Sequence, residues 1–164
     1  MTKERLPAHL RFMMRRDIPE ILAIEEDAFE FGWSEKEFIR CLRQRNCIGM
    51  VAECDGQVAG YMIYELQKTR IHVLNFAVAK NYRRTGVGSK MVAKLASKLW
   101  PNRRTNILLE VRETNLAAQL FFRSCGFRAT RVLYGHWDDT PEDAYQMQYL
   151  YRPKCSDETE LCHL

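Results

Sequence analysis

The sequence predicts an α/β fold with a mixed central sheet of about six to seven strands flanked by about four helices. Apolar spacing alternates between strand-like and helical periods along the chain, no segment repeats, and cap or turn residues punctuate each change of period. A chain of 164 residues, 46% hydrophobic and 28% charged, is sized for one domain with a real core.

Each element has its local reason. Residues 10 to 15 read as a short first strand, and Asp17 as the cap of a helix whose apolar face is Ile18, Ile21, Leu22 and Ile24 to Ala28, with Pro19 suited to its first turn. Ser34 followed by Glu37 is a capping-box pattern that starts a second helix through Phe38, Ile39 and Leu42. Asp55 and Gly56 mark a tight hairpin between Met50 to Cys54 and Gln57 to Leu66. A strand over Ile71 to Val78, a helix over Gly86 to Leu99 closed by Pro101, and a strand over Asn106 to Val111 follow. Asn115 to Ser124 reads as a helix ended by Gly126, and Phe127 to Tyr134 and Tyr145 to Tyr151 supply the last two strands. After Pro153 the periodicity is lost, so residues 1–154 read as the domain and 155–164 as a disordered tail.

Composition narrows the function. The formal net charge of +4 is mild; it suits an anionic cofactor and does not require nucleic acid. No run approaches the roughly 18 to 20 apolar residues of a membrane span, and MTKERLPAHLRF lacks the apolar core of a signal peptide, so a cytoplasmic protein is expected. The six cysteines form no CxxC pair and are expected to be reduced. Cys155, Cys162 and His163 are three potential ligands in a polar tail, too little for a metal site, and none is expected.

The densest signal is FAVAKNYRRTGVGS, Phe76 to Ser89, where an apolar run meets a basic, glycine-spaced turn and then a helical pattern. Arg83, Arg84, Gly86 and Gly88 form RRxGxG, a cradle in which an anion would meet unpaired amides and the positive end of a helix dipole. Neither the P-loop Lys-Ser/Thr pair nor the dinucleotide GxGxxG is present. The competing reading is an Arg-rich turn before an exposed helix.

The spacing Arg83xxGly86xGly88 resembles the acyl-CoA pyrophosphate loop of the GCN5-related N-acetyltransferases (GNAT). That resemblance implies the GNAT fold, acetyl-CoA as cosubstrate, and contacts to it from Arg83, Arg84, Thr85, Gly86, Val87, Gly88 and Ser89. It further implies that the strand before the loop splays from its neighbour, so that Asn75 to Val78, with Phe76, Ala77 and Val78 as the contacts, offers amides to the pantetheine arm and the thioester oxygen. Fixed N–H groups aimed at a developing oxyanion can contribute about 2.7 to 4 kcal/mol apiece.

A second stretch, LLEVRETNLAAQLFFRSCGF from Leu108 to Phe127, is most similar to the RimI-like ribosomal-protein alanine N-acetyltransferases. There the LEVR segment carries a general-base glutamate and the following Asn contacts the cofactor, which implies those roles for Glu110 and Asn115. An amine must lose a proton before it attacks a thioester, and an α-amine at about 7.7 to 8.0 needs less help than a lysine at about 10.4. The competing reading of Glu110 is a strand-end charge on a solvated face. One departure matters: Phe122 stands where the family has the tyrosine that protonates the leaving thiolate. A thiol near 8.5 can leave largely as thiolate; alternatively another hydroxyl serves, and Tyr134 is the candidate, against a reading as a packed strand-end ring.

The acceptor is indicated by FEFGWSEKEF, Phe29 to Phe38, which resembles the FPxPWS stretch of RimI-like enzymes at Trp33 and Ser34, with Glu30 and Gly32 in place of the prolines. A looser, more acidic loop is expected there, and buried Phe29 and Trp33 joining two helices is the competing reading. His72 reads as a packed edge histidine in preference to a catalyst, His136 to Asp139 as an acceptor mouth or a polar turn, Arg103 and Arg104 as a solvated turn, and Cys125 as no nucleophile, since no histidine pairs with it. The expected function is direct acetyl transfer from acetyl-CoA to a protein or peptide N-terminal amine, that of a ribosomal protein included. A small-molecule amine acetyltransferase and a non-catalytic acyl-CoA-binding module are the alternatives.

Overall fold

In the computed structural model, which describes residues 7–153, seven strands and four helices follow the expected order. They are β1 (His9–Phe12), α1 (Ile18–Ala28), α2 (Glu35–Leu42), β2 (Cys47–Cys54), β3 (Gln57–Leu66), β4 (Arg70–Val78), α3 (Val87–Ala96), β5 (Asn106–Arg112), α4 (Leu116–Ser124), β6 (Arg128–Leu133) and β7 (Ala144–Leu150). The strands make one sheet in the order β1-β2-β3-β4-β5-β7-β6, antiparallel throughout except where β4 meets β5 in parallel. The predicted tail, including Cys155, Cys162 and His163, lies outside the described residues.

Local chemistry explains most boundaries. The Ser34 hydroxyl accepts from Glu37 N–H at 3.3 Å while Ser34 N–H donates to the Glu37 carboxylate at 2.6 Å, the reciprocal capping box of α2. Asp55 and Gly56 both take positive φ, 49° and 75°, as a two-residue hairpin turn requires. Asp17 departs from expectation and does not cap α1 with its side chain. Its buried carboxylate instead accepts from Met14 N–H at 2.7 Å and, through both oxygens, from Arg11 at 2.8 and 2.9 Å, which holds it below the usual carboxyl range. Strand β1 ends at Phe12, short of the predicted residue 15, where a 3-10 turn over Arg15–Asp17 begins. Helix α3 ends at Ala96, before the predicted Leu99.

The sheet separates two cores. One face packs Tyr64, Ile71, Val73, Ile107, Leu109 and Met147 against Val87, Met91 and Leu95 of α3 and Phe122 of α4. The other packs Val51, Tyr61, Ile63 and Ala77 against Ile21 of α1 and Phe38 of α2. Burial of such side chains stabilises by about 1.5 to 3 kcal/mol each, so both helix pairs are held by their apolar faces. No described helix is long and apolar enough to cross a membrane.

Candidate active site

Strands β4 and β5 pair only over three rungs, Arg70 with Asn106, Ile71 with Ile107 and His72 with Leu108. Beyond them β4 continues to Val78 against β3 and β5 continues to Arg112 against β7, so the two strands fork. A β-bulge opens the fork: Ile63 of β3 faces Asn75 and the next residue, Tyr64, faces Val73, which leaves Leu74 as the extra residue of β4. The backbone of Leu74 to Val78 therefore has no strand on its β5 side, which is the splay expected over Asn75 to Val78.

At the vertex of the fork stand His72 and Glu110. The Nε2 atom of His72 lies 3.0 Å from Oε1 and 2.7 Å from Oε2 of Glu110, and the two side chains are 22% and 15% exposed. Glu110 is thus neither a strand-end charge nor solvated on all sides. His72 is likewise no edge residue, because β4 is an interior strand. Nothing in the local pattern forecast the pair, since its members are 38 positions apart and are brought together only through the β4–β5 register.

The glycine-spaced loop follows β4. Gly86 takes φ 89° and caps α3 from the left-handed region, and Arg84 reaches φ 63° just before it. Lys90 N–H makes the first bond of α3, to Gly86 O; among the described residues no carbonyl or side chain accepts from the N–H groups of Gly86, Val87, Gly88 or Ser89. Four orphan donors stand at the positive end of the helix, where an anion is favoured. Gly88 abuts α4 so closely that a Cβ there would lie 2.8 Å from Cζ of Phe121. Arg83 folds back and donates from Nε to Val78 O at 3.2 Å, while Thr85 is buried with its hydroxyl donating to Tyr82 O. The buried side chain of Val87 belongs to the core, so Thr85 and Val87 have only backbone to offer a ligand.

Two tethers shape the opposite side of the fork. Glu25 of α1, fully buried, accepts from Trp33 N–H at 2.9 Å, from Asn75 Nδ2 at 3.0 Å and from the Tyr61 hydroxyl. Burial, with the Glu25 carboxylate beside it, pushes the Tyr61 phenol well above its ordinary range. The loop between α1 and α2 is therefore pinned to β4 and not looser, as the loss of two prolines had suggested. Phe29 and Trp33 pack on the second core, as their competing reading had it. The second tether is Arg112, whose guanidinium lies over Phe31 and Trp137 while pairing with Asp139 at 2.8 Å and Glu142 at 3.1 Å. It gathers the α1–α2 loop and the β6–β7 loop two residues past Glu110 on the same strand.

Comparison with known proteins places this architecture. The model of the Acetyltransferase (GNAT) family matches residues 18–127, from α1 through the end of α4. The chain belongs to the GNAT family. The [ribosomal protein bS18]-alanine N-acetyltransferase of Escherichia coli K12 is 29% identical to this acetyltransferase over 133 residues, which span 80% of the chain and 89% of that enzyme. An N-alpha-acetyltransferase of Sulfurisphaera tokodaii is 28% identical over 144 residues, 80% of the chain and 86% of the relative. The crystal structure of the ribosomal-protein-S18-alanine N-acetyltransferase from Escherichia coli superimposes with a TM-score of 0.77 at 25% identity, covering 91% of this chain and 97% of that one. The chain is accordingly an acetyl-CoA-dependent N-acetyltransferase.

Other predicted residues of the acetyltransferase fall as follows. Asn115 is the N-cap of α4, its Oδ1 accepting from Ala118 N–H at 3.1 Å. Phe76 lies against Phe121 and Phe122 at ring-centroid distances of 5.8 and 5.2 Å, and Phe122 is 6% exposed within that aromatic stack, a core ring at the position of the family's acid. Tyr134 is 81% exposed beyond β6, and the hydrogen-bonding partner of Glu110 is His72, not Tyr134. The structure thus brings Phe76 to Val78, the glycine loop and Glu110 to one fork and leaves Tyr134 outside it. Sequence reading set His72 aside as an edge residue and missed Arg112 and Glu25, of which only Arg112, two residues after Glu110, stood near a residue already singled out. Arg104, read as solvated, donates to Gln67 O at 2.7 Å.

Proposed function

We propose that this acetyltransferase acts on the N-terminal α-amine of a protein, a ribosomal protein among the candidates, by direct attack of the amine on acetyl-CoA with a proton acceptor centred on Glu110. The observation that carries the reading is the carboxylate of Glu110 at the vertex of the fork, only 15% exposed, with the glycine loop at the far end of the diverging β4 strand. The pyrophosphate would sit on the N–H groups of Gly86 to Ser89, with Arg84 nearby as counter-charge, and the pantetheine arm would run along the unpaired side of Phe76 to Val78. Asn115 stands one residue before α4, which borders the loop at Gly88, and is the remaining cofactor contact.

The amine enters from the side framed by Phe31, Trp137 and the Arg112 tether. Its nitrogen attacks the thioester carbon, the carbon–nitrogen bond forms as the carbon–sulfur bond breaks, and sulfur departs without help from Phe122. Backbone donors of the open β4 edge stabilise the oxyanion. Relatives named for α-amine acetylation support a protein acceptor. Release of CoA thiol with Ala-initiated peptides, beside polyamines and aminoglycosides, tests it. Peptide turnover lost in Glu110→Gln is expected, and turnover of small amines alone would overturn the protein-acceptor reading.

A further inference from the structure

The sheet has an end that acetyl transfer leaves unused. Behind the vertex of the fork, the α2–β2, β3–β4 and α3–β5 loops and the chain after β7 meet in one row. Leu66 N–H donates to Asn46 O at 2.8 Å, Thr105 N–H to Thr69 O at 3.1 Å and Tyr151 N–H to Thr105 O at 2.7 Å. The row carries Arg45, Lys68, Arg70, Arg103, Arg104 and Arg152, and among the described residues none of these six is ion-paired. Glu65 is the one carboxylate of residues 43–46, 65–70, 97–106 and 150–153, and it is taken by Asn46 at 2.6 Å and Gln67 at 3.3 Å.

We propose that this end is a docking face for single-stranded nucleic acid, its cations holding phosphates and Trp100 stacking on an unpaired base. Trp100 is 67% exposed in a turn that is closed twice, by Trp100 N–H to Arg104 O at 2.9 Å and by Arg103 N–H to Trp100 O at 3.3 Å. Arg104 also donates from Nε to Gln67 O at 2.7 Å, so the turn is fixed to the β3–β4 loop, and Lys68, Thr69, Asn102, Arg103 and Arg104 line one open cleft. An indole held in water beside guanidinium groups is the kind of platform on which unpaired bases stack. A duplex, its bases already stacked on one another, offers Trp100 no face, and a run of acidic side chains offers it no ring, so the aromatic selects a single strand over both.

Dimensions and charge agree. From β2 to β7 the row crosses four strand spacings, about 19 Å, which is room for several phosphates. Asp138, Asp139, Glu142 and Asp143 precede β7 at its other end, about 20 Å away along the strand and more than two screening lengths at physiological salt. The mild net charge of +4 is thus the sum of a basic end and an acidic one, and a polyanion bound at the first leaves the acceptor side open whichever amine is acetylated. The glycine loop, with its own Arg83 and Arg84, lies past the far end of β4 and is a separate site.

The test is fluorescence anisotropy of labelled oligouridylate and oligothymidylate, each of about 12 nucleotides, with the full chain and saturating CoA to occupy the glycine loop. Binding at low salt is expected. Lys68→Glu combined with Arg103→Glu should weaken it by at least about tenfold and flatten its salt dependence. Trp100→Ala, a change at an exposed ring, should weaken it by about fivefold or more. Acetylation of a short peptide should keep its wild-type rate in each variant. Tighter binding of one strand would name RNA or DNA as the source and equal binding their shared chemistry, and either supports the face. No binding at low salt, full affinity in Trp100→Ala or in the charge-reversed variant, or a duplex bound as tightly as the single strand would overturn it. Displacement by oligoaspartate of equal charge would overturn it in favour of an acidic protein.

Discussion

Arg112 lies with its guanidinium carbon 4.3 Å from the ring centroid of Trp137 while two of its nitrogens hold Asp139 and Glu142. The same guanidinium reaches Phe31 at 5.4 Å, so one side chain from the sheet fastens loops that are more than 100 residues apart in the chain. A planar cation that stacks and forks at once is not replaceable by lysine.

Arg112→Lys is therefore expected to raise KM for a peptide acceptor by about tenfold or more, the equivalent of about 1.4 kcal/mol, with KM for acetyl-CoA nearly unchanged. Initial-rate kinetics with each substrate varied in turn checks this. Equal effects on both constants would show that the tether serves the whole fold and not the acceptor side.

Glu25→Leu should destabilise the protein by about 3 kcal/mol or more, because it leaves Asn75 Nδ2, the Tyr61 hydroxyl and Trp33 N–H without their shared acceptor inside the protein. Denaturant unfolding would read the loss. Glu25→Gln retains one acceptor oxygen but turns an amide donor toward other donors, and should fall between the two.

Gly88→Ala places a Cβ 2.8 Å from Phe121 Cζ at the start of α3, the helix proposed above to hold the CoA pyrophosphate. A shift of α3 against α4 is the expected response, costing about 1 to 3 kcal/mol in stability and weakening CoA binding. Calorimetric titration of CoA with a parallel melt separates the two effects; unaltered CoA affinity would argue against this loop as the pyrophosphate cradle.

Burial pushes the Tyr64 phenol up to about 12 from an ordinary value near 10. The folded state therefore holds its proton more tightly than the unfolded chain, so this stability is complete below about pH 10 and is lost as pH rises through about 12. Tyr64→Phe should flatten the fall in Tm across that window, and a melt series from neutral to alkaline pH would show it. The hydroxyl it removes has only the weak Met50 sulfur as partner, at 3.6 Å, so little is lost at neutral pH.

Phe122→Tyr is expected to leave kcat unraised. The ring is boxed by Phe76, Phe121 and Phe127 at centroid distances of 5.0 to 5.3 Å, and a buried hydroxyl without a partner costs about 1 to 3 kcal/mol. A rate increase over wild type would mean that the family's acid role is still latent at this position.

The sequence by itself determined the element order, because period changes, the Ser34–Glu37 capping box and the Asp55–Gly56 turn are encoded within a few residues of where they act. It also determined the glycine-spaced helix start, since orphan amides there follow from glycine spacing and chain direction alone. Only the tertiary structure decided the partnerships at the fork. His72 meets Glu110 because three rungs of parallel pairing set the register and the bulge at Leu74 then parts the strands, and neither is a property of local pattern. Glu25 likewise reads as one more polar residue on a helix until the packing of α1 on β3 and β4 buries it against Tyr61 and Asn75. Contacts of 36, 38 and 50 residues' separation hold this fork in shape, and their geometry exists only once the sheet has closed around them.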